Sequence, residues 1–169
     1  MSTTTPDRSQ VAEPFAGHAE QHRPLAAYGV LALAFNAFVA AGVEAARRRR
    51  GLPERWGAPD LLLLGAATAK LTRLIAKDRV LAVVRAPFTE FEDDTQRGEV
   101  EESARGTGMR RAMGELVICE YCLGQWVAAG FVLGAALAPQ PTRAVAAIFT
   151  VYGISDALNI ARSAADRNV

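Results

Sequence analysis

The chain has 169 residues, half of them hydrophobic (50%), and its 19 Lys and Arg nearly balance 18 Asp and Glu. This length corresponds to one domain, and a formal net charge of +1 gives no indication of nucleic acid as a partner. Two cysteines are too few for the disulfide framework of a small secreted domain. The charges are unevenly distributed, so the apolar stretches between them define the organisation of the chain.

Residues 1–24 are polar and contain several prolines, a composition typical of a disordered tail. Residues 25–46 then form an apolar run in which Asn36 and Glu44 are the strongly polar members. A helix of this length covers roughly 33 Å, which is enough to cross a hydrocarbon core of about 30 Å. We therefore predict a transmembrane helix at residues 25–46.

Four arginines, Arg47 to Arg50, follow this helix directly. Clusters of basic residues beside a transmembrane helix tend to remain in the cytoplasm. The pattern predicts that the N-terminal tail lies outside and that the polar, membrane-associated region at residues 47–115 lies in the cytoplasm.

Residues 60–80 allow two interpretations. Their first half is apolar, whereas Lys70, Arg73 and Lys77 in the second half share one helical face. An outward crossing would carry these basic residues outside, against the positive-inside tendency. We therefore predict an amphipathic or re-entrant helix at residues 60–80, with a fourth transmembrane helix as the alternative.

The segment at residues 90–102 is strongly acidic, but it lacks the glycine spacing of a calcium-binding loop. We interpret it as a solvated face that pairs with nearby arginines. Asp78 lies close in sequence to Arg73 and Arg85, and we expect it to form ion pairs that hold the interfacial helix.

Two further apolar runs, at residues 116–137 and 144–161, are separated by a proline-containing turn. They predict a transmembrane helical hairpin over residues 116–161, followed by a short tail at residues 162–169. The predicted fold class is therefore an all-α integral membrane protein with three transmembrane helices and one amphipathic or re-entrant helix.

Polar residues inside these runs are costly in hydrocarbon and must face protein or water. Glu120, Asp156 and Asn159 are such residues, and Asp156 and Asn159 share a helical face. We expect both to point toward the helix at residues 116–137, where structural hydrogen bonding is favoured over a proton or ion path.

Cys119 and Cys122 form a Cys-x-x-Cys pair at the start of the run at residues 116–137. The pair is compatible with a structural role, thiol-disulfide chemistry, or half of a tetrahedral zinc site. His18 and His22 are the remaining soft ligands, but they lie in the tail. With three crossings the pair lies in the cytoplasm, which predicts reduced thiols.

A set of spaced motifs resembles the bacterial small membrane protein family catalogued as domain of unknown function 1360. The resemblance covers about residues 60–161 and depends on four segments: Lys70–Val80, Arg85–Thr89, Gly114–Leu116 and Cys119–Trp126. Glu120 departs from it, because proline often follows the first cysteine in the motif. The resemblance implies a small membrane protein without an established activity.

We therefore predict a structural or interaction protein of the bacterial inner membrane, multi-pass and self-associating, with the lipid bilayer as its surroundings. An enzymatic role is not favoured. The alternatives are a thiol-redox or zinc-binding membrane protein centred on Cys119 and Cys122, and then an oligomeric transporter or pore.

Overall fold

The computed structural model describes residues 24–49, 52–95 and 98–167, which are mostly helical. The elements in chain order are α1 (Leu25–Arg49), α2 (Ala58–Lys77), α3 (Ala82–Arg85), β1 (Thr89–Asp94), β2 (Val100–Ala104), α4 (Gly108–Ile118), α5 (Glu120–Leu137) and α6 (Pro139–Asp166). The predicted all-α class is therefore correct for the long segments and wrong for the acidic region, which forms a two-stranded sheet.

Three helices, α1, α5 and α6, are long and apolar enough to cross a membrane. They correspond to the three transmembrane helices predicted from the sequence. The fourth long helix, α2, has 20 residues, and its apolar sequence is interrupted by Asp60, Lys70, Arg73 and Lys77. The helix predicted to begin at residue 116 is divided, because Cys119 adopts an extended backbone conformation (φ −92°, ψ 104°) between α4 and α5.

Contacts between α1 and α5 give their relative direction. The Phe35 and Trp126 rings lie 5.2 Å apart. Further along both helices, Gly42 packs against the Leu133 side chain. Because the contacts ascend along both helices, α1 and α5 run in the same direction.

Helix α2 runs parallel to α6 and packs against both α6 and α5. Hydrogen-bonded pairs that ascend along both helices join α2 to α6: Asp60–Arg143, Leu63–Thr150 and Lys70–Asp156. Helices α5 and α6 are joined at Ala138, and Gly134 packs against Thr142 across this junction, so the two helices fold back on each other as an antiparallel pair. Helix α2 is therefore antiparallel to α5 and to α1. The four long helices thus alternate in direction along the chain.

The apolar core lies between α2, α5 and α6, where Leu64, Ala67, Phe131 and Ala146 are buried. Two of these residues belong to α2, so this helix contributes to the centre of the bundle.

The acidic region forms a hairpin in which Thr89 pairs with Ala104 and the register shifts between Phe91 and Asp93. It packs against α4 at Gly114, where a methyl group would overlap the Phe88 carbonyl oxygen and lie 3.0 Å from the Ala104 Cβ. The hairpin therefore lies at the bundle end that contains the C-terminus of α2 and the N-terminus of α5. We refer to this end as the hairpin end, and to the other as the loop end.

Ion pairs confirm the interpretation of the acidic segment as a face that pairs with basic residues. They connect α2 and the following turn to the hairpin, or lie within the hairpin: Lys77–Glu101 at 3.6 Å, Arg79–Asp94 at 3.0 Å and Arg105–Glu90 at 3.6 Å. These side chains are partly exposed, so each pair contributes up to about 1 kcal/mol to stability.

Candidate functional site

A cluster of charged and polar side chains lies where α2, α6 and the hairpin meet. The Lys70 ammonium is paired with the Asp156 carboxylate and lies 3.9 Å from the centroid of the Tyr152 ring. The Lys70 side chain is 9% exposed, whereas that of Asp156 is 43% exposed. The pair and the aromatic face together compensate an ammonium group that has lost most of its water.

Arg73 extends this cluster toward the hairpin end. Its guanidinium binds Glu99 through two hydrogen bonds, of 2.7 and 2.9 Å, in a fork geometry that favours arginine over lysine. Its third nitrogen lies 3.9 Å from the Glu120 carboxylate at the start of α5. Arg73 therefore connects α2, the hairpin and α5.

A cavity of about 260 Å³ lies beside these groups. Its polar lining comes from α2, α6 and the segments next to them: Lys70, Arg73, Asp78, Glu99, Tyr152, Asp156, Asn159 and Ser163. The structure thus brings together four of the residues predicted from the sequence, Arg73, Asp78, Asp156 and Asn159, with Glu120 as a neighbour of Arg73.

Two sequence-based predictions about this cluster are wrong. Asp156 faces Lys70 of α2 instead of the helix that begins at residue 116. Among the described residues, the Asp78 side chain forms no ion pair, and its Oδ1 accepts hydrogen bonds from the backbone N–H groups of Val80 and Leu81. Asp78 therefore fixes the turn after α2, and the neighbouring basic residues pair with hairpin carboxylates.

Arg85 forms a separate, fully buried site below the hairpin. Its Nε lies 2.5 Å from Glu102, its Nη1 donates to the Ile75 carbonyl at 2.7 Å, and its Nη2 donates to the Asp78 carbonyl at 3.0 Å. The Arg85 side chain is 0% exposed. One guanidinium thus joins the end of α2 to the second strand, and the ion pair with Glu102 was not predicted.

Cys119 and Cys122 are joined in a disulfide, whereas free thiols were predicted. The Cys119 sulfur also accepts a hydrogen bond from the Cys122 backbone N–H at 3.1 Å, so Cys119 caps α5. The pair lines a groove of about 600 Å³ between α1, α4 and α5.

The zinc interpretation gains no support from the structure. Within residues 24–49, 52–95 and 98–167, no group of three or more His, Cys, Asp or Glu side chains is placed to hold a metal ion. His18 and His22 lie outside the described residues.

The sequence did not identify Lys70 as the partner of Asp156, nor Tyr152 and Glu99 as members of the cluster. One signal in the sequence could have identified this pair: Lys70 and Asp156 carry opposite charges, and each lies within an apolar helix. The shared face of Lys70, Arg73 and Lys77 was recognised, but it was assigned to the membrane surface.

These features define a mostly helical bundle with three helices capable of crossing a membrane and an ion-paired hairpin at one end. The chain belongs to the family described as protein of unknown function (DUF1360), whose model matches residues 63–162. The predicted family resemblance is thereby confirmed. The match contains the ion-pair cluster, Arg85 and both cysteines, and it leaves out α1.

The chain is also similar to the sporulation protein YjcA of Bacillus subtilis (strain 168), with 31% identity over 98 residues. The aligned region covers 56% of this chain and 83% of that relative. No solved structure matches the chain.

Proposed function

We propose that the chain crosses the membrane four times and that α2 is the crossing that the sequence left ambiguous. The parallel contacts of α1 and α5 carry this proposal. Helix α1 ends at the loop end, whereas α5 begins at the hairpin end, so the chain must return across the membrane between them. With 20 residues, α2 covers roughly 30 Å, the thickness of a hydrocarbon core.

The charged residues of α2 are compatible with a membrane crossing because they form ion pairs with residues of opposite charge. Asp60 pairs with Arg143 at the loop end, and Arg73 pairs with Glu99 at the hairpin end. Lys70 is the charge farthest from either end of α2, and its buried side chain pairs with the half-buried Asp156 of α6. Ionisable residues within membrane helices are tolerated when they face the bundle and pair in this way.

Two observations support a sidedness in which the hairpin end lies outside. Arg47, Arg48 and Arg49 form the last turn of α1 at the loop end, as expected for a helix end on the cytoplasmic side. The Cys119–Cys122 disulfide lies at the hairpin end, and disulfides persist in oxidising compartments. The tail and the hairpin then share the outer side, whereas the sequence placed the whole region at residues 47–115 in the cytoplasm.

The function supported best is that of a structural or interaction protein of the bacterial inner membrane, which holds a rigid acidic hairpin at one membrane surface. The observation that carries this proposal is the attachment of the hairpin to α2 and α3 through Arg73, Lys77, Arg79 and Arg85. Within the cluster, Arg73 binds the hairpin through Glu99, whereas Lys70 binds Asp156 of α6. The name of the relative refers to sporulation and names no substrate.

A double substitution, Cys119→Ser with Cys122→Ser, separates this function from thiol chemistry. Serine at position 119 retains a side-chain acceptor for the Cys122 backbone N–H, so we expect unchanged helix content, membrane fraction and oligomeric state. The matched double substitution, Cys119→Ala with Cys122→Ala, loses this cap and should be about 1 kcal/mol less stable. In a deletion strain, the serine variant should restore the wild-type phenotype. Intact assembly without restoration would favour thiol chemistry and contradict the proposal.

A further inference from the structure

A carboxamide lies near the middle of α1, on a side of the helix that faces away from the bundle. The Asn36 side chain donates through Nδ2 to the Ala32 carbonyl at 2.8 Å, within its own helix. Among the described residues, this is the only hydrogen bond of the Asn36 side chain. Its second N–H and its Oδ1 acceptor therefore have no protein partner in the part of the chain that the structure describes. Asn36 is exposed.

The packing of α1 explains this exposure. Phe35 and Phe38 contact Trp126 of α5, and Gly42 packs against the same helix. Consecutive residues of a helix are turned by about 100°, so Asn36 is directed to the side of this contact. Leu33, one turn before it, is 72% exposed.

This placement has a consequence that rests on the proposed membrane crossing of α1. The Asn36 carboxamide keeps one hydrogen bond within its own helix, but its remaining donor and acceptor lose their water partners when the helix enters lipid, which is unfavourable. Polar side chains in the middle of a membrane helix therefore bond to neighbouring helices. The exposed side of α1 thus has a hydrogen-bonding requirement that lipid cannot meet.

We propose that this side of α1 binds α1 of a second copy of the chain, through hydrogen bonds between the two Asn36 carboxamides. All copies are inserted in one orientation, so a two-fold axis along the membrane normal makes the two helices parallel. Each residue near the axis then meets its own counterpart. A carboxamide is complementary to itself, because it carries both donors and an acceptor.

The residues around Asn36 allow the two helices to approach closely. Gly29, Ala32 and Ala40 lie on the same side of α1, and all three are exposed. A Cβ atom added at Gly29 would meet no other atom within 4 Å, so the surface is open there. Small residues on both sides of a polar residue favour close helix–helix packing in membranes.

Cysteine cross-linking of the full chain in membranes tests this interface. In the background with Cys119→Ser and Cys122→Ser, Ala40→Cys places a thiol about 40° around the helix from Asn36. The matched control, Ala34→Cys, places one about 160° away, also at an exposed position. We expect cross-linked dimer from Ala40→Cys and at least tenfold less from Ala34→Cys.

Substitution of Asn36 tests the hydrogen bond itself. Asn36→Leu should weaken dimerisation by about fivefold to thirtyfold, the range that corresponds to about 1–2 kcal/mol, and Asn36→Gln should retain it. Equal cross-linking at positions 34 and 40, or dimerisation unaffected by Asn36→Leu, would overturn the proposal. Alkaline carbonate extraction gives the control: release of the protein contradicts the membrane crossing, whereas retention without dimers contradicts the interface alone.

Discussion

Replacing Arg85 by methionine should lower the free energy of unfolding by about 3–5 kcal/mol, the loss typical of breaking a buried ion pair. The substitution leaves Glu102, which is 6% exposed, as an uncompensated carboxylate. It also removes the donors to the Ile75 and Asp78 carbonyls. Unfolding of the detergent-purified protein in increasing SDS measures the loss, and a Glu-specific protease should cleave the loosened hairpin faster.

Two comparison variants separate the charge of Arg85 from its hydrogen bonds. Glu102→Gln keeps an acceptor for Arg85 while it removes the negative charge, so an intermediate loss is expected. Arg110→Met changes an exposed arginine that donates to the Pro87 carbonyl, and it should alter stability by up to about 1 kcal/mol. A similar small effect of Arg85→Met would mean that Arg85 does not hold the hairpin.

The second large effect is expected for Asp156→Leu, which leaves the Lys70 ammonium without its carboxylate. A lone charge in the middle of a membrane helix costs about 2.5–3.5 kcal/mol on insertion scales, so stability should fall by a comparable amount. Adding Lys70→Met should recover most of the loss, because it removes the uncompensated Lys70 charge and because apolar residues of similar volume can replace an ion pair at little cost in stability.

Asn159→Leu provides the matched control, since Asn159 lines the same cavity and belongs to the same helix without forming the ion pair. It should change the unfolding midpoint much less than Asp156→Leu. If the double variant is no more stable than Asp156→Leu alone, then Lys70 and Asp156 do not act as a pair.

The sequence was sufficient to predict α1, α5 and α6, because apolar runs of this length with a single charged residue each have few alternatives to membrane helices. It was also sufficient to predict that the acidic region pairs with arginines, since the opposite charges are close along the chain. The two strands were missed, because alternation in the acidic segment is obscured by charge on both faces.

The environment of α2 could not be predicted from local sequence. From local sequence alone, the face of α2 that carries Lys70 is interpreted as solvent-exposed. The partner that changes this interpretation is Asp156, which lies 86 positions away along the chain. The Arg85–Glu102 pair depends in the same way on the path of the hairpin back to α2. Both sites arise from packing between distant segments, and composition alone does not specify such partners.

The number of crossings is tested most directly by labelling one residue at each end of the bundle. In the background with Cys119→Ser and Cys122→Ser, single cysteines replace Glu54 at the loop end and Glu92 in the hairpin, both exposed positions. Four crossings place these positions on opposite sides of the membrane. An impermeant maleimide applied to intact cells should therefore label position 92 and leave position 54 unreacted until the membrane is opened. Three crossings place both positions in the cytoplasm, so protection of both until lysis would contradict the account.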